Sequence, residues 1–307
     1  MYSFRHYLIA TLLGIVIPTV IYGQGPSSRP ILSGPTITRN YGSRTVSENT
    51  VIPIPDLFRT EAPFVERNYR IDYLGSNGLQ EPVGDQSQFA SELTYSFTDR
   101  FGVILAAPLT TRKNLEEPDG SGFGDLTAGV RYVFIGYENE DPFKLAVGFN
   151  VQTPTGDVKR GLGEGQTILE PELLMFRKLG KQAFMQSQFG LGVPTRGDDT
   201  STDFSWNLGM GYVFTEIAAS QLFKFPTAVV ELNGATGLGG SDAGRTVVDF
   251  TPGLRWSIRS RAFGGVAMSV PLSGDKEFET QLILSLIYRY GPVDEERPDP
   301  TSSRAYF

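Results

Sequence analysis

From about residue 64 to residue 290 the chain alternates apolar and polar residues position by position, and helical spacing is almost absent. In Phe204–Phe214 one face carries Phe204, Trp206, Leu208, Met210, Tyr212 and Phe214, while the other carries Ser205, Asn207, Gly209 and Gly211. Phe89–Phe97 and Leu126–Phe134 repeat the pattern, and so does the last run, where Ile283 and Ile287 intrude on the polar face. Such alternation marks strands with one apolar face. Twelve segments can be laid out, at 64–75, 86–98, 101–109, 123–134, 143–153, 167–178, 182–194, 203–214, 226–237, 245–256, 262–272 and 278–290. Pro171 and the run Leu173–Phe176 disturb the sixth.

Two regularities order these segments. Odd-numbered ones end on a Pro followed by a Gly/Asp loop: Ala-Pro-Leu-Thr (107–110), Thr-Pro-Thr-Gly-Asp (153–157), Val-Pro-Thr-Arg-Gly-Asp (193–198) and Val-Pro-Leu-Ser-Gly-Asp (270–275). Even-numbered ones end in aromatics: Tyr95 and Phe97, Tyr132 and Phe134, Phe176, Tyr212 and Phe214, Trp256, Tyr288 and Tyr290. Turn residues would then gather on one rim and amphipathic rings on the other, as a membrane–water interface favours. Strands can cross hydrocarbon only if every backbone group is paired, so the sheet must close on itself. The expectation is an all-β transmembrane antiparallel barrel of about twelve strands, apolar outside and polar inside. A soluble sandwich is the rival fold. That inversion reconciles a membrane protein with a mean hydropathy of −0.15.

Outside these strands the chain reads differently. Residues 1–23 resemble a cleaved signal peptide, with Arg5 and His6 ahead of the apolar run Tyr7–Ile21, so export to the outer membrane is expected. Residues 24–63 hold six of the twenty prolines and read as a periplasmic linker, within which Ile52–Phe58 is apolar enough to enter the lumen. Residues 64–290 form the barrel, and 291–307 a flexible tail.

Composition narrows the chemistry. With 27 Lys+Arg against 34 Asp+Glu, the chain lacks the basic surface that binds nucleic acid. It has no Cys, and its one His is His6 in the leader, so thiolate and imidazole chemistry is excluded from the folded part. No catalytic, metal or cofactor site is expected. Glu170 and Glu172 share a face as a two-carboxylate hydrolase pair would, but nothing around them suggests a saccharide site. Gly161–Gly165 and Gly237–Gly240 lack the features of phosphate loops, and Asp198, Asp199 and Asp242 lack calcium-loop spacing. The candidate lumen lining is Glu92, Asp125, Arg131, Lys144, Glu170, Glu172, Glu231, Asp249, Arg255 and Arg289, with Arg70, Asp72 and Glu279 on the same face. These charges either tune a passage or lock strands together. Inward glycines such as Gly209, Gly211, Gly253 and Gly265 either leave room for solute or permit curvature. The candidate interface aromatics are Tyr95, Phe97, Tyr132, Phe134, Tyr212, Phe214, Trp256, Tyr288 and Tyr290.

The segment Asp119–Phe134, DGSGFGDLTAGVRYVF, resembles the [SG]-G-x-G-D-[LV]-x-x-G-x-[RK]-Y signature of a bacterial outer-membrane family named for the meta-cleavage pathway of phenol degradation. Pro154–Asp157 matches a strand-end motif common in that family. The resemblance implies a roughly twelve-stranded barrel that passes small, often hydrophobic or aromatic, compounds without covalent chemistry. The long Pro-rich linker and the C-terminal tail depart from the family pattern. Expected partners are outer-membrane lipid, the barrel-assembly machinery and a small-molecule solute; the oligomeric state is open. The rival function is a non-transporting envelope protein that uses its barrel as an anchor, with an enzyme third.

Overall fold

The computed structural model describes residues 56–290, apart from 81–82, 115–118, 137–140, 196–201, 216–217, 221 and 260. The leader, the tail and the linker up to residue 55 lie outside the described residues. Fourteen strands run in chain order. They are β1 (Asn68–Gln80), β2 (Val83–Ser96), β3 (Phe101–Asn114), β4 (Gly120–Phe123), β5 (Thr127–Ile135), β6 (Phe143–Gln152), β7 (Ile168–Lys178), β8 (Ala183–Pro194), β9 (Asp203–Val213), β10 (Ala218–Ser220), β11 (Phe223–Gly237), β12 (Thr246–Arg259), β13 (Ala262–Pro271) and β14 (Thr280–Arg289).

Twelve of them close a ring. Each pairs antiparallel with its neighbours, β14 meets β1, and β9 pairs directly with β11. β4 only extends the pairing of β3, and β10 that of β11. Closure leaves no free edge, the condition for strands in hydrocarbon. In β14 the consequence is plain: Leu282, Leu284, Leu286 and Tyr288 are 42–48% exposed, while Gln281, Ile283, Ser285, Ile287 and Arg289 are at most 6% exposed. Successive side chains leave a strand on opposite faces, so one parity meets lipid and the other the lumen. The twelve expected segments all correspond to barrel strands.

The differences are local and have physical reasons. β1 begins at Asn68, because Phe64 and Val65 are buried inside the barrel instead of extending the strand. β3 runs past the first Pro repeat to Asn114, with Pro108 at the point where its partner changes from β5 to β4, so no ladder bond needs the missing N–H. Pro171 behaves similarly. It pairs with Phe149 of β6, while the β7–β8 ladder is interrupted between Leu169/Val193 and Glu172/Gly190.

The two rims differ. At the near rim, where β1 begins and β14 ends, the connections 97–100 and 179–182 are short. At the far rim, the connection 153–167 is long and carries a single 3-10 turn, Val158–Arg160. Exposed rings ring the near rim on the outside: Tyr95, Phe97, Tyr132, Phe134, Tyr212, Phe214 and Tyr288 are each 38–50% exposed. Trp256 is half-buried against Phe223, with ring centroids 5.5 Å apart, and the Tyr290 hydroxyl donates to the Thr94 carbonyl over 2.8 Å. Phe176 departs from the expectation. It faces inward at 3% exposure, stacked near Phe64 and Phe184.

The alternation fixes which substitutions the membrane resists. Leu284→Arg, on the lipid face of β14, should cost ~2–4 kcal/mol if it lies near the bilayer midplane. Ser269→Ala, inside the barrel on β13, should cost under about 1.5 kcal/mol as the loss of one neutral hydrogen bond, that with the Thr251 hydroxyl. Denaturant titration of the barrel in lipid vesicles reads both, and a reversed ranking would contradict the facing.

Candidate functional site

The segment 56–66, which leads into β1, is packed inside the barrel. Leu57 and Thr60 are fully buried, and Phe58, Glu61 and Ala62 are at most 4% exposed. The chain makes a tight loop here: Leu57 N–H donates to the Thr60 carbonyl over 3.0 Å, and Ala62 N–H to Asp56 Oδ1 over 2.8 Å. From Arg59 it runs through Phe64 and Val65 to β1. A backbone loop buried in a barrel exposes polar groups that no ladder satisfies, so the wall must supply partners.

The wall does so with charged side chains. Glu231 of β11 accepts from three successive backbone N–H groups, Phe58 (2.6 Å), Arg59 (2.9 Å) and Thr60 (2.9 Å), and from the Thr60 hydroxyl (3.0 Å). Consecutive N–H groups converging on one carboxylate form an anion-binding nest. Three arginines take the carbonyls. Arg70 of β1 donates to Phe58 (2.7 Å), Arg131 of β5 to Ala62 (2.9 Å) and Arg255 of β12 to Leu57. Arg131 also pairs with Glu61 and, at 3.4 Å, with Glu172 of β7. Arg255 lies over the Phe58 ring, 4.3 Å from its centroid. At the tip, Arg59 reaches Asp249 of β12 at 3.1 Å. Near the base, Arg289 of β14 pairs with Glu66 at 2.8 Å.

Apolar contacts complete the seat. Leu57, Phe58, Ala62 and Phe64 share one buried cluster with inward-facing Leu74, Phe176, Phe184, Val229 and Ile283. Val65 packs in a second with Val133, Ala146 and Leu174. The aliphatic residues that broke the polar alternation are therefore the plug's floor and walls. Two inward glycines are required by close approach: a Cβ at Gly209 would collide with Leu57, and one at Gly253 with the Phe58 ring.

The ten expected lining residues have several placements. Arg131, Glu172, Glu231, Asp249, Arg255 and Arg289 hold the segment or its partners as described. Glu92 is buried in the near-rim half and accepts from the Thr94 hydroxyl at 3.1 Å. Lys144 donates to the Gly136 carbonyl at a near-rim turn. Asp125 braces the far-rim connection, accepting from the backbone of Gly156 (2.8 Å) and Glu164 (2.7 Å) and from Gln152 (3.1 Å). Glu170 lines open space above the plug. The additional Glu279 is exposed and bonded to Lys276. The sequence reading missed Thr60 and Glu61 as partners; the inward Leu174, Ile283 and Ile287 were the available signal that something apolar fills the lumen.

Above Arg59 and Glu61 the lumen opens into a vestibule of about 690 Å³, lined from the far-rim halves of the strands by groups such as Asn150, Gln152, Glu170, Glu172, Gln188 and Asn207. An adjoining recess of about 350 Å³ shares Arg59, Ser205 and Asn207 and adds Asn233, Asp249 and Glu277. Among the described residues no group of three or more acidic, His or Cys side chains is arranged to hold a metal ion.

The signature segment acquires a structural meaning from this arrangement. Asp125 and Gly124 clasp Thr155 and Gly156 of the strand-end motif, while Arg131 holds the plug. A family model described as a putative MetA-pathway of phenol degradation matches residues 82–270. The chain belongs to that family. Among solved structures, the COG4313 outer membrane channel from Pseudomonas putida F1 is similar over 80% of this chain and 99% of its own, at 14% identity and a TM-score of 0.57. A NanC porin (7% identity, 74% of this chain and 100% of its own, TM-score 0.48) and a KdgM porin (12%, 72% and 99%, 0.44) resemble it more loosely. No curated protein matches by sequence. For this member of the phenol-degradation family, the similarity to the channel shows the barrel architecture.

The plug's seat can be tested with the chain's lack of cysteine. A single Leu57→Cys thiol should resist maleimide in the folded barrel. Adding Glu231→Ala should expose it, since three buried N–H donors lose their acceptor at about 1–3 kcal/mol each. Equal labelling in both proteins would place the segment elsewhere.

Proposed function

We propose that the protein is an outer-membrane channel for small solutes, hydrophobic or aromatic ones included, whose lumen is closed by its own residues 56–66. The near rim is taken as periplasmic and the far rim as external. The observation that carries this reading is the manner of closure. A barrel meant only as an anchor could fill its interior from its own wall, whereas here a separable loop is seated between an open polar vestibule and the near-rim half of the lumen.

The seat also suits release. Buried ion pairs fix position well, but desolvation offsets much of their attraction, so Glu61–Arg131 and Arg59–Asp249 specify the plug more than they bind it. The loop joins β1 at the near rim and belongs to no strand, so its withdrawal would leave the ring of strands intact. Solute would then meet amides and carboxylates first and Leu174, Phe176, Phe184 and Ile283 below. Passage needs no covalent step. Family membership supports the hydrophobic and aromatic solute class, and Leu174, Phe176, Phe184 and Ile283 give the lower lumen apolar patches among its charged side chains.

Single-channel recording in planar bilayers tests this. The full chain should conduct weakly or not at all. Glu231→Ala with Arg255→Ala, or deletion of residues 24–63, should open steady conductance at least about tenfold larger, a shift of ~1.4 kcal/mol or more in the plug equilibrium. A heat-modifiable, folded barrel that stays closed in both variants would favour the anchor reading.

A further inference from the structure

The long far-rim connection 153–167 folds back onto the lumenal side of the wall, against β4 and the end of β3. The β3–β4 register fixes which side that is. It sets Gly120 beside Arg112 and Gly122 beside Thr110. Thr110 is buried, and Arg112 donates to the buried Gln86 through two nitrogens (3.1 and 2.8 Å), while Phe123, of the opposite parity, is exposed on the outside. Gly120, Gly122 and Gly124 therefore share the inner face and leave it bare of side chains.

The connection lies in that bare strip. A Cβ at Gly120 would stand 2.6 Å from the Arg160 carbonyl oxygen, and one at Gly124 2.9 Å from that of Leu162. Backbone thus meets backbone where layers bearing side chains would keep ~10 Å apart. The Leu162 side chain covers Gly122 and is buried. Asp157, Val158, Lys159 and Arg160, at the tip, stay exposed.

Hydrogen bonds fix the segment there. Asp125 holds both of its legs, Oδ1 accepting from the Gly156 N–H (2.8 Å) and Oδ2 from the Glu164 N–H (2.7 Å). Leu162 N–H donates to the Asp157 carbonyl and Gly161 N–H to that of Val158, each over 3.0 Å, and Lys159 N–H donates to Asp157 Oδ1 over 3.0 Å. Gln152, which lines the vestibule, donates to the same Asp125, so the clamp stands at the vestibule's edge. Connections of this length with so little regular structure are commonly either mobile or functional, and this one is pinned. A brace for the strands could lie outside the wall. Inside the wall, it takes width from the mouth.

We propose that residues 156–163 form an outer constriction, fixed at the far mouth of the barrel, that selects by size the solutes that reach the vestibule. The inference rests on the channel reading and deepens it: the plug governs when solute passes, and this segment governs which solute enters. Asp125 and the glycines of the signature segment position the constriction, and its exposed tip meets the solute first.

The test places a single thiol below the constriction, as Asn207→Cys in the otherwise cysteine-free full-length chain; Asn207 is half-buried and lines the vestibule. With the plug seated, reagents reach it from the far rim. N-ethylmaleimide should label it readily, and a maleimide carrying a polyethylene glycol chain at least about tenfold more slowly. Replacing 157–163 by Gly-Gly should remove most of that difference. Gly120→Val, which drives a side chain into the Arg160 carbonyl, should do the same, whereas Ser121→Val, on the exposed outer face of β4, should not. Polymer labelling as fast as that by the small reagent in the unaltered loop overturns the proposal. So does a difference that survives loop shortening in a heat-modifiable barrel, or a thiol that neither reagent reaches once the loop is short. The first comparison needs no loop variant, so it decides even if the variants misfold. Labelling needs no conductance either: a barrel that filters by size but never conducts sinks only the channel reading, and a conducting barrel whose mouth is blind to size sinks this inference alone.

Discussion

Three neighbouring backbone N–H groups, at Phe58, Arg59 and Thr60, converge on the carboxylate of Glu231, and much of the lumen is arranged around that convergence. A barrel of twelve strands encloses more space than its own inward side chains fill with polar groups alone. Filling it with a loop of the same chain brings unpaired N–H and C=O groups into a dry interior. The carboxylate satisfies the donors, and Arg70, Arg131 and Arg255 satisfy carbonyls at Phe58, Ala62 and Leu57. Those four side chains come from β1, β5 and the adjacent pair β11 and β12, so the plug ties three separate parts of the ring.

The same arrangement divides the lumen in two at the plug's tip. Below the plug's tip the wall mixes the apolar Leu174, Phe176, Phe184, Val229 and Ile283 with the buried charges of Arg70, Asp72, Glu92 and Arg255. Above it the wall is amide and carboxylate. The far-rim connection is braced separately: Asp125 organises 153–165 from one side of the signature segment, while Arg131, six residues on, holds the plug. One short stretch of sequence thus serves both ends of the vestibule.

The strand number was readable because period-two alternation survives wherever one face meets lipid, as β9 and β14 show without exception on their outward sides. Boundaries were less readable. The N-terminal edge of β1 was placed at residue 64 because Phe64 and Val65 continue the alternation, though both point into the lumen instead. Pro108 was read as a strand end, since a proline normally breaks a ladder, but a change of partner strand at that height removes the demand for its N–H. The plug was hardest to read. Its composition is that of a linker, and much of its binding is non-local, with Glu231 and Arg255 173 and 198 positions from the groups they hold. Two signals pointed to it: the apolar stretch Ile52–Phe58, of which Leu57 and Phe58 lie among the described residues and are buried in the lumen, and on the barrel Phe176, placed among the rim aromatics by its strand-end position, with Ile283 and Ile287, apolar where a water-filled lumen would be polar.

The account turns on the plug being seated in the lumen and having to leave before solute passes. A reversible lock between Leu57→Cys and Gly209→Cys, positions brought together where Leu57 crosses β9, tests both points in one recording. Introduced into the plug-loosened Glu231→Ala background, the oxidised pair should hold the channel closed, and a reductant added to the same bilayer should open it. Conductance that is indifferent to the state of the disulfide would contradict the account.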